Sequence, residues 1–318
     1  MQGDGNITTG AILAAGRGSR TFPLSDTYPK ALLPVCNIPV MQYQMKAMRD
    51  AGISEILVVV GHLGKEIQKT FGNGRRFGLR IRYVLDPDPR GIATSLLKVE
   101  DETRNPFFCF LGDIFIPPRF LVKMLRKMGK DGMANRVLVK READPEVIKR
   151  HAEIINDGRG KIVELIEKPV APKSGLRSVG VYLFTSRVFT AIRKTQPSAL
   201  RGERELTDSI QTLIDLGERI EMTYLDSWDV NISYPEDLIE CNVRMLAELG
   251  KERIVGRGAK IAPGSVIAKT VVGERATVER PVRLYECVIF HDAKVNYESS
   301  EASRMLFAGA HNIPAEGV

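Results

Sequence analysis

The sequence predicts an α/β fold: a Rossmann-like, doubly wound and mostly parallel sheet, followed by a short left-handed parallel β-helix. Three observations carry this prediction. From Thr9 to about Leu225, short apolar runs alternate with amphipathic stretches. Two of the runs, Glu55 to Gly61 and Phe107 to Leu111, are apolar at nearly every position, as strands buried on both faces are. After Gly250 the period changes: Val255, Ile261 and Ile267 recur every six residues, Val272 follows after five, and Val278, Leu284 and Phe290 return to six.

The elements follow in order. Ala11 to Ala14 is an apolar strand that runs into the turn Ala15-Gly16-Arg17-Gly18-Ser19-Arg20. Val40 to Ala51 reads as a helix, Glu55 to Gly61 as a strand, Lys65 to Phe71 and Ile92 to Val99 as helices, and Phe107 to Leu111 as a second buried strand. Strands alternating with helices imply parallel crossovers, and ligands of such sheets gather at the carboxyl ends of the strands. The loops that start at Ala15 and at Gly112 fall there. Tyr234 to Leu249 closes this part as a helix, with Gly250 as its stop signal. Beyond it, one aliphatic residue per hexad is suited to fill a prism interior. At about eighteen residues per coil, residues 254–296 make on the order of two to three coils. The expected domains are therefore residues 1–250, a β-helix over 251–296, and a loosely packed tail over 297–318.

Composition excludes several functions. The chain's 318 residues suffice for one large α/β domain and a smaller partner. A hydrophobic content of 43% is ordinary for a soluble protein, and no apolar run has the length of a membrane span. Residues 1–9 are polar and lack an apolar signal core, so a short extension is expected there. Cys36, Cys109, Cys241 and Cys287 are scattered, which suits free thiols in a cytoplasmic protein. His62, His151, His291 and His311 have no metal-ligand spacing. The net charge of +7 suits anionic ligands. Lys and Arg are spread along the chain without a basic, aromatic-interleaved block, which argues against nucleic acid.

The glycine-rich turn is the most informative feature. Its glycines let backbone N–H groups approach an anion closely, and Arg20 and Lys30 add fixed positive charge. A dinucleotide fingerprint wants a third glycine at the helix start and an acid about twenty residues on. Here Arg20 or Thr21 holds the first position, and Pro39 to Gln42 the second. A Walker loop needs Gly-Lys-Ser/Thr, which is absent. Taken alone the loop reads equally as a plain structural turn; joined to Pro29-Lys30 and Pro34 it suits a nucleoside triphosphate, with Leu13, Ala14, Ala15, Gly16, Gly18, Ser19, Arg20 and Lys30 as the candidate contacts.

With these residues and those that follow, the chain resembles the sugar-1-phosphate nucleotidylyltransferases. The resemblance spans roughly residues 9–250. It includes Leu13 to Arg20, Pro29-Lys30 with Pro34, Phe110-Leu111-Gly112-Asp113 and Glu167-Lys168-Pro169. Arg201-Gly202-Glu203, Glu205-Leu206-Thr207-Asp208 and Trp228-Asp229 complete it. It implies attack of a sugar-1-phosphate oxygen on the α-phosphorus of an NTP, with release of pyrophosphate and Mg²⁺ as cofactor. Both reactants are anions, so charge neutralisation and in-line alignment are the main tasks, and no nucleophilic side chain is needed. Asp113 and Asp229 match the family's metal ligands, although the family usually has Asp-x-Gly where this chain has Asp229-Val230-Asn231. Lys168 matches the lysine that holds the sugar phosphate, and Pro169 is expected to keep it extended. Glu167 is implied to accept from sugar hydroxyls, and Gly180 to let a main chain pass near the ring. Ala152 follows His151 where the family often has Tyr-Gly, and it should still permit close approach.

The base is contested within the sequence. The stretch from Arg201 to Asp208 looks most like thymidylyl- and uridylyltransferases acting on glucose 1-phosphate. Where those enzymes carry a glutamine that reads the pyrimidine, this chain has Asp86, five residues before Gly91. A carboxylate offers only acceptors, which suits the adjacent donors of guanine. A dTTP or UTP enzyme is expected, with GTP and mannose 1-phosphate as the alternative. Main-chain groups beside Gly91 could complete a pyrimidine contact if Asp86 turns to solvent. A non-catalytic scaffold of the same fold is a further reading, opposed by the presence of Arg20, Lys30, Asp113, Lys168 and Asp229. The hexads are expected to assemble a homo-oligomer, being too few for acetyl transfer.

Overall fold

The computed structural model describes residues 7–130, 135–198, 202–309 and 311–315. Arg201 of the Arg-Gly-Glu motif, most of the expected N-terminal extension, and residues 310 and 316–318 of the expected tail lie outside them. The chain divides into two compact units, Met1–Arg17 with Gln44–Asp229, and Gly18–Tyr43 with Val230–Val318. The segment Gly18–Tyr43, expected in the first domain, thus groups with the C-terminal residues.

The first unit is built on a nine-stranded sheet. Four strands, β1 (Thr9–Ala14), β2 (Glu55–Val60), β3 (Arg80–Leu85) and β4 (Phe107–Leu111), run parallel in the order β3-β2-β1-β4. The chain leaves β1 towards β2 on one side and returns to β4 on the other. That reversal makes the carboxyl ends of β1 and β4 the topological switch point. Leu57, Val58, Val59 and Val60 are all fully buried, which is why β2 is apolar on both faces. Helices α1 (Val40–Asp50), α2 (Gly64–Phe71) and α3 (Ile92–Leu97) fall where the apolar period put them.

The rest of the sheet is mixed. It holds β5 (Asn135–Arg141), β6 (Ala152–Asn156), β7 (Ile162–Glu167), β8 (Leu176–Phe184) and β9 (Ile220–Tyr224). β8 is antiparallel to β4, β5 and β6, and β7 is antiparallel to β6, so the sheet is parallel at its centre and in the β5–β9 pair and antiparallel elsewhere. All nine residues of β8 are buried, and Phe107 of β4 stacks on Phe189 with ring centroids 5.5 Å apart. Among the described residues no helix is long and apolar enough to cross a membrane.

In the second unit, a helix over Pro235–Glu248 precedes three parallel sheets. Each strand pairs with another 17 or 18 residues along, as Arg253 does with Thr270 and Leu284 with Ala302. Ile267, Val272, Val278, Leu284 and Phe290 are buried as the hexads predicted, whereas Val255 is 44% exposed at the first strand. The tail expected from residue 297 is corrected. Glu301–Ser303 and Met305–Ala308 extend two of the sheets, and His311–Pro314 returns antiparallel along Met305–Ala308. Leu306 and Phe307 are fully buried. The segment Gly18–Tyr43 packs on these strands: the Tyr28 and Phe290 rings lie 4.9 Å apart, and Asn37 Nδ2 donates to the Val272 carbonyl at 2.8 Å. The four cysteines are free and buried.

Candidate active site

Strand ends bring the first group of residues together. The Gly112 N–H donates to the Leu13 carbonyl at 2.9 Å, which ties the end of β4 to the end of β1 and sets Asp113 beside the start of the glycine-rich loop. At the end of β2, a Cβ on Gly61 would lie 2.5 Å from the Ala15 carbonyl oxygen and 2.7 Å from that of Asp86. Leu13, Ala14, Ala15, Asp86 and Asp113 thereby gather at the carboxyl ends of the parallel strands. Gly16 follows in open space, with nothing within 4 Å of where a Cβ would stand.

Asp86 does not turn to solvent. It is 3% exposed, and Ser95 Oγ on α3 donates to Oδ2 at 2.7 Å. Gly91 precedes α3 with φ +106°, and a Cβ there would meet the Arg204 carbonyl oxygen at 2.6 Å, so the position admits only glycine.

A second group gathers around β7. Ala152 is in register with Glu167, which accepts from Thr207 Oγ1 at 2.8 Å and has Lys168 Nζ 3.6 Å from Oε1. Thr207, within the Glu-Leu-Thr-Asp motif, joins the group through this bond. The neighbouring Asp208 has its carboxyl pKa raised by burial and by the charge of Glu167. Lys168 is not extended: its φ is +45°, and its N–H donates to the His151 carbonyl at 3.0 Å. That hydrogen bond turns the chain out of β7 and outweighs the pre-proline preference, leaving backbone strain at Lys168. His151 Nδ1 lies 2.8 Å from the Val147 carbonyl, which can only accept, so a neutral ring carries its proton there. Burial, and then the charge of Arg177, lowers the His151 pKa. At Gly180, φ is +83° and a Cβ would come within 2.9 Å of Ile114 Cγ1, so protein packing alone demands this glycine.

In the second unit, Gly18 has φ +71°, and a Cβ there would press to 3.1 Å on both Cγ and Cε of Lys30. The missing side chain lets Lys30 lie along the loop. Thr21 donates to the Gly18 carbonyl through its N–H at 2.9 Å and its hydroxyl at 2.7 Å, closing the turn through Ser19 and Arg20. The Arg20 guanidinium stands 5.4 Å from the Tyr234 ring centroid.

The two aspartates matched to a metal stand in different surroundings. Among the described residues no cluster of three or more His, Cys, Asp or Glu could hold a metal ion. Mg²⁺ needs only one or two carboxylates, with phosphate oxygens and water completing the shell, so Asp113 at the switch point suffices in principle. Both oxygens of Asp229, in contrast, accept from Arg177 at 2.8 and 2.7 Å. Arg177 and Lys140 hold the Asp229 carboxyl below its ordinary range against the effect of burial.

The sheet order and the strand-end loops define a Rossmann-like α/β class. A nucleotidyl transferase family model matches residues 9–247, and the chain belongs to that family of enzymes. It is similar to the glucose-1-phosphate thymidylyltransferase of Streptomyces antibioticus, 36% identical over 270 residues that cover 84% of this chain and 73% of that protein. It is also similar to the low-salt glycan biosynthesis nucleotidyltransferase Agl11 of Haloferax volcanii, 34% identical over 241 residues, covering 75% of this chain and 66% of that protein. The solved structure of a UDP-glucose pyrophosphorylase complexed with UDP-glucose shares the fold, with a TM-score of 0.67 at 23% identity over 76% of this chain and all of that one.

Proposed function

We propose that this chain transfers a nucleotidyl group from dTTP or UTP to glucose 1-phosphate, giving a nucleotide-sugar and pyrophosphate. The observation that carries this reading is the junction at the switch point, where Gly112 N–H bonds the Leu13 carbonyl and Asp113 adjoins the glycine-rich loop. In the reaction a sugar-phosphate oxygen bonds to the α-phosphorus while the bond from that phosphorus to the bridging pyrophosphate oxygen breaks. The loop's N–H groups, Arg20 and Lys30 bind the triphosphate. Lys168 binds the sugar phosphate, and Glu167, Ala152 and Gly180 line the sugar. Asp113 would hold Mg²⁺, which supplies charge neutralisation on the phosphates when bound.

The similarity to a thymidylyltransferase supports the pyrimidine choice, and the burial of Asp86 against Ser95 leaves its carboxylate poorly placed to meet a guanine edge. The 17- and 18-residue steps of the C-terminal strands support a left-handed parallel β-helix that joins subunits of a cytoplasmic oligomer. The test is a pyrophosphate-release screen crossing five NTPs with glucose-, mannose-, galactose- and N-acetylglucosamine-1-phosphates. The expected maximum in kcat/KM is dTTP or UTP with glucose 1-phosphate. A maximum at GTP with mannose 1-phosphate would replace the substrate reading, and no release with any pair would end the catalytic one.

A further inference from the structure

The carboxylate matched to a metal role is already committed elsewhere. Arg177 forks onto both oxygens of Asp229, Lys140 Nζ stands 3.3 Å from Oδ1, and Arg177 Nε points at Glu142 Oε2 at 3.4 Å. The side chains of Asp229 and Arg177 are 1% and 4% exposed, so water can replace neither partner. Two parallel charge-assisted bonds use both carboxylate oxygens in their favoured directions. A Mg²⁺ taking one of those oxygens would need it at about 2.0–2.1 Å. It would stand against a guanidinium and an ammonium, and would leave Arg177 buried beside another cation.

The same cluster borders the sugar-phosphate side. His151 lies within the electrostatic reach of Arg177, Asp229 and Glu142, and its carbonyl receives the Lys168 N–H. Arg177 is in register with Lys140 on β5 and with Glu153 on β6. Glu153 Oε1 in turn accepts from the N–H groups of Lys173 and Ser174, shortly after Lys168. The network thus lies on the strand beside Glu153, two residues from His151, whose carbonyl anchors the Lys168 N–H.

We propose that Asp229 is a positioning residue for Lys168, acting through Arg177, and not a metal ligand. The inference rests on the assignment of Lys168 to the sugar phosphate. The test uses the full chain and compares Asp229→Asn with Asp113→Asn. Mn²⁺ binding is read directly by paramagnetic resonance of the free ion, alone and with dTTP, and KM is read for each substrate. Asp229→Asn should keep the Mn²⁺ dissociation constant within about threefold, while Asp113→Asn raises it by on the order of tenfold or more. For Asp229→Asn, the KM of glucose 1-phosphate should rise on the order of tenfold with that of dTTP little changed. A tenfold loss of Mn²⁺ affinity in Asp229→Asn, or equal KM changes for both substrates, would overturn the proposal. If Asp229→Asn does not fold, the double variant Arg177→Met/Asp229→Leu removes the two most buried charges at once. It should keep Mn²⁺ binding, and a folded double variant that loses it also overturns the proposal. A wild-type chain that binds glucose 1-phosphate in calorimetry but releases no pyrophosphate would end the functional reading alone, leaving Asp229 to be judged by Mn²⁺ and sugar-phosphate binding. A chain that binds neither Mn²⁺ nor glucose 1-phosphate ends both.

Discussion

Lys168 sits where a side chain and its backbone are both constrained, with a left-handed φ and an N–H anchored on the His151 carbonyl. Lys168→Ala should weaken glucose 1-phosphate by roughly 2–5 kcal/mol while dTTP moves little, as separate calorimetric titrations of each substrate would show. Equal losses for both would contradict the division between Lys168 and the loop cations. His151 gives a pH prediction. In the unfolded chain the ring protonates near its ordinary 6.5, whereas burial and Arg177 make the folded ring resist. The unfolded state then binds more protons as pH falls below that value, so folding stability declines there and is complete above it. Wild-type melting temperature should fall between about pH 7 and about pH 5.5 more than that of His151→Gln. Parallel declines in the two proteins would assign the loss to other groups.

Elements were more legible in the sequence than their partners. The buried strands β2 and β4 announce themselves because strands covered on both faces must be apolar throughout, and the loop between β1 and α1 because its glycines and cations serve one purpose. The Asp229–Arg177 pair is different, since its members lie 52 residues apart and only the antiparallel packing around β8 brings them together. Likewise the strands after residue 297 escape the hexad count, because Ser299-Ser300-Glu301 interrupts the aliphatic beat where the pairing step lengthens to 18 residues. The junction of strand ends makes its own prediction. A methyl at Gly61 would strike two carbonyl oxygens, at 2.5 and 2.7 Å, that belong to the loop and to the end of β3. Backbone cannot swing aside as a side chain does, so Gly61→Ala should cost about 1–3 kcal/mol in urea unfolding and lower NTP affinity as well. A variant with wild-type unfolding midpoint would mean that the junction is looser than its contacts imply.

At the scale of the molecule, the C-terminal strands support the segment that carries Lys30. Tyr28, two residues before Lys30, rests on Phe290, and Asn37 is bonded to Val272. A chain cut at Gly250 keeps every residue assigned to the reaction and loses both supports. Its KM for dTTP should rise on the order of tenfold, equivalent to about 1.4 kcal/mol, and Phe290→Ala in the full chain should show part of that rise. Unchanged dTTP kinetics in both would mean that Gly18–Tyr43 keeps its shape unaided. The span of that support also sets a schedule for the newborn protein. Asn37 and Val272 are 235 residues apart, so at 5–20 residues per second the loop waits on the order of ten to fifty seconds on the ribosome for the strand that steadies it. Until then the Gly18–Tyr43 segment lacks the partners that Tyr28 and Asn37 find on Phe290 and Val272.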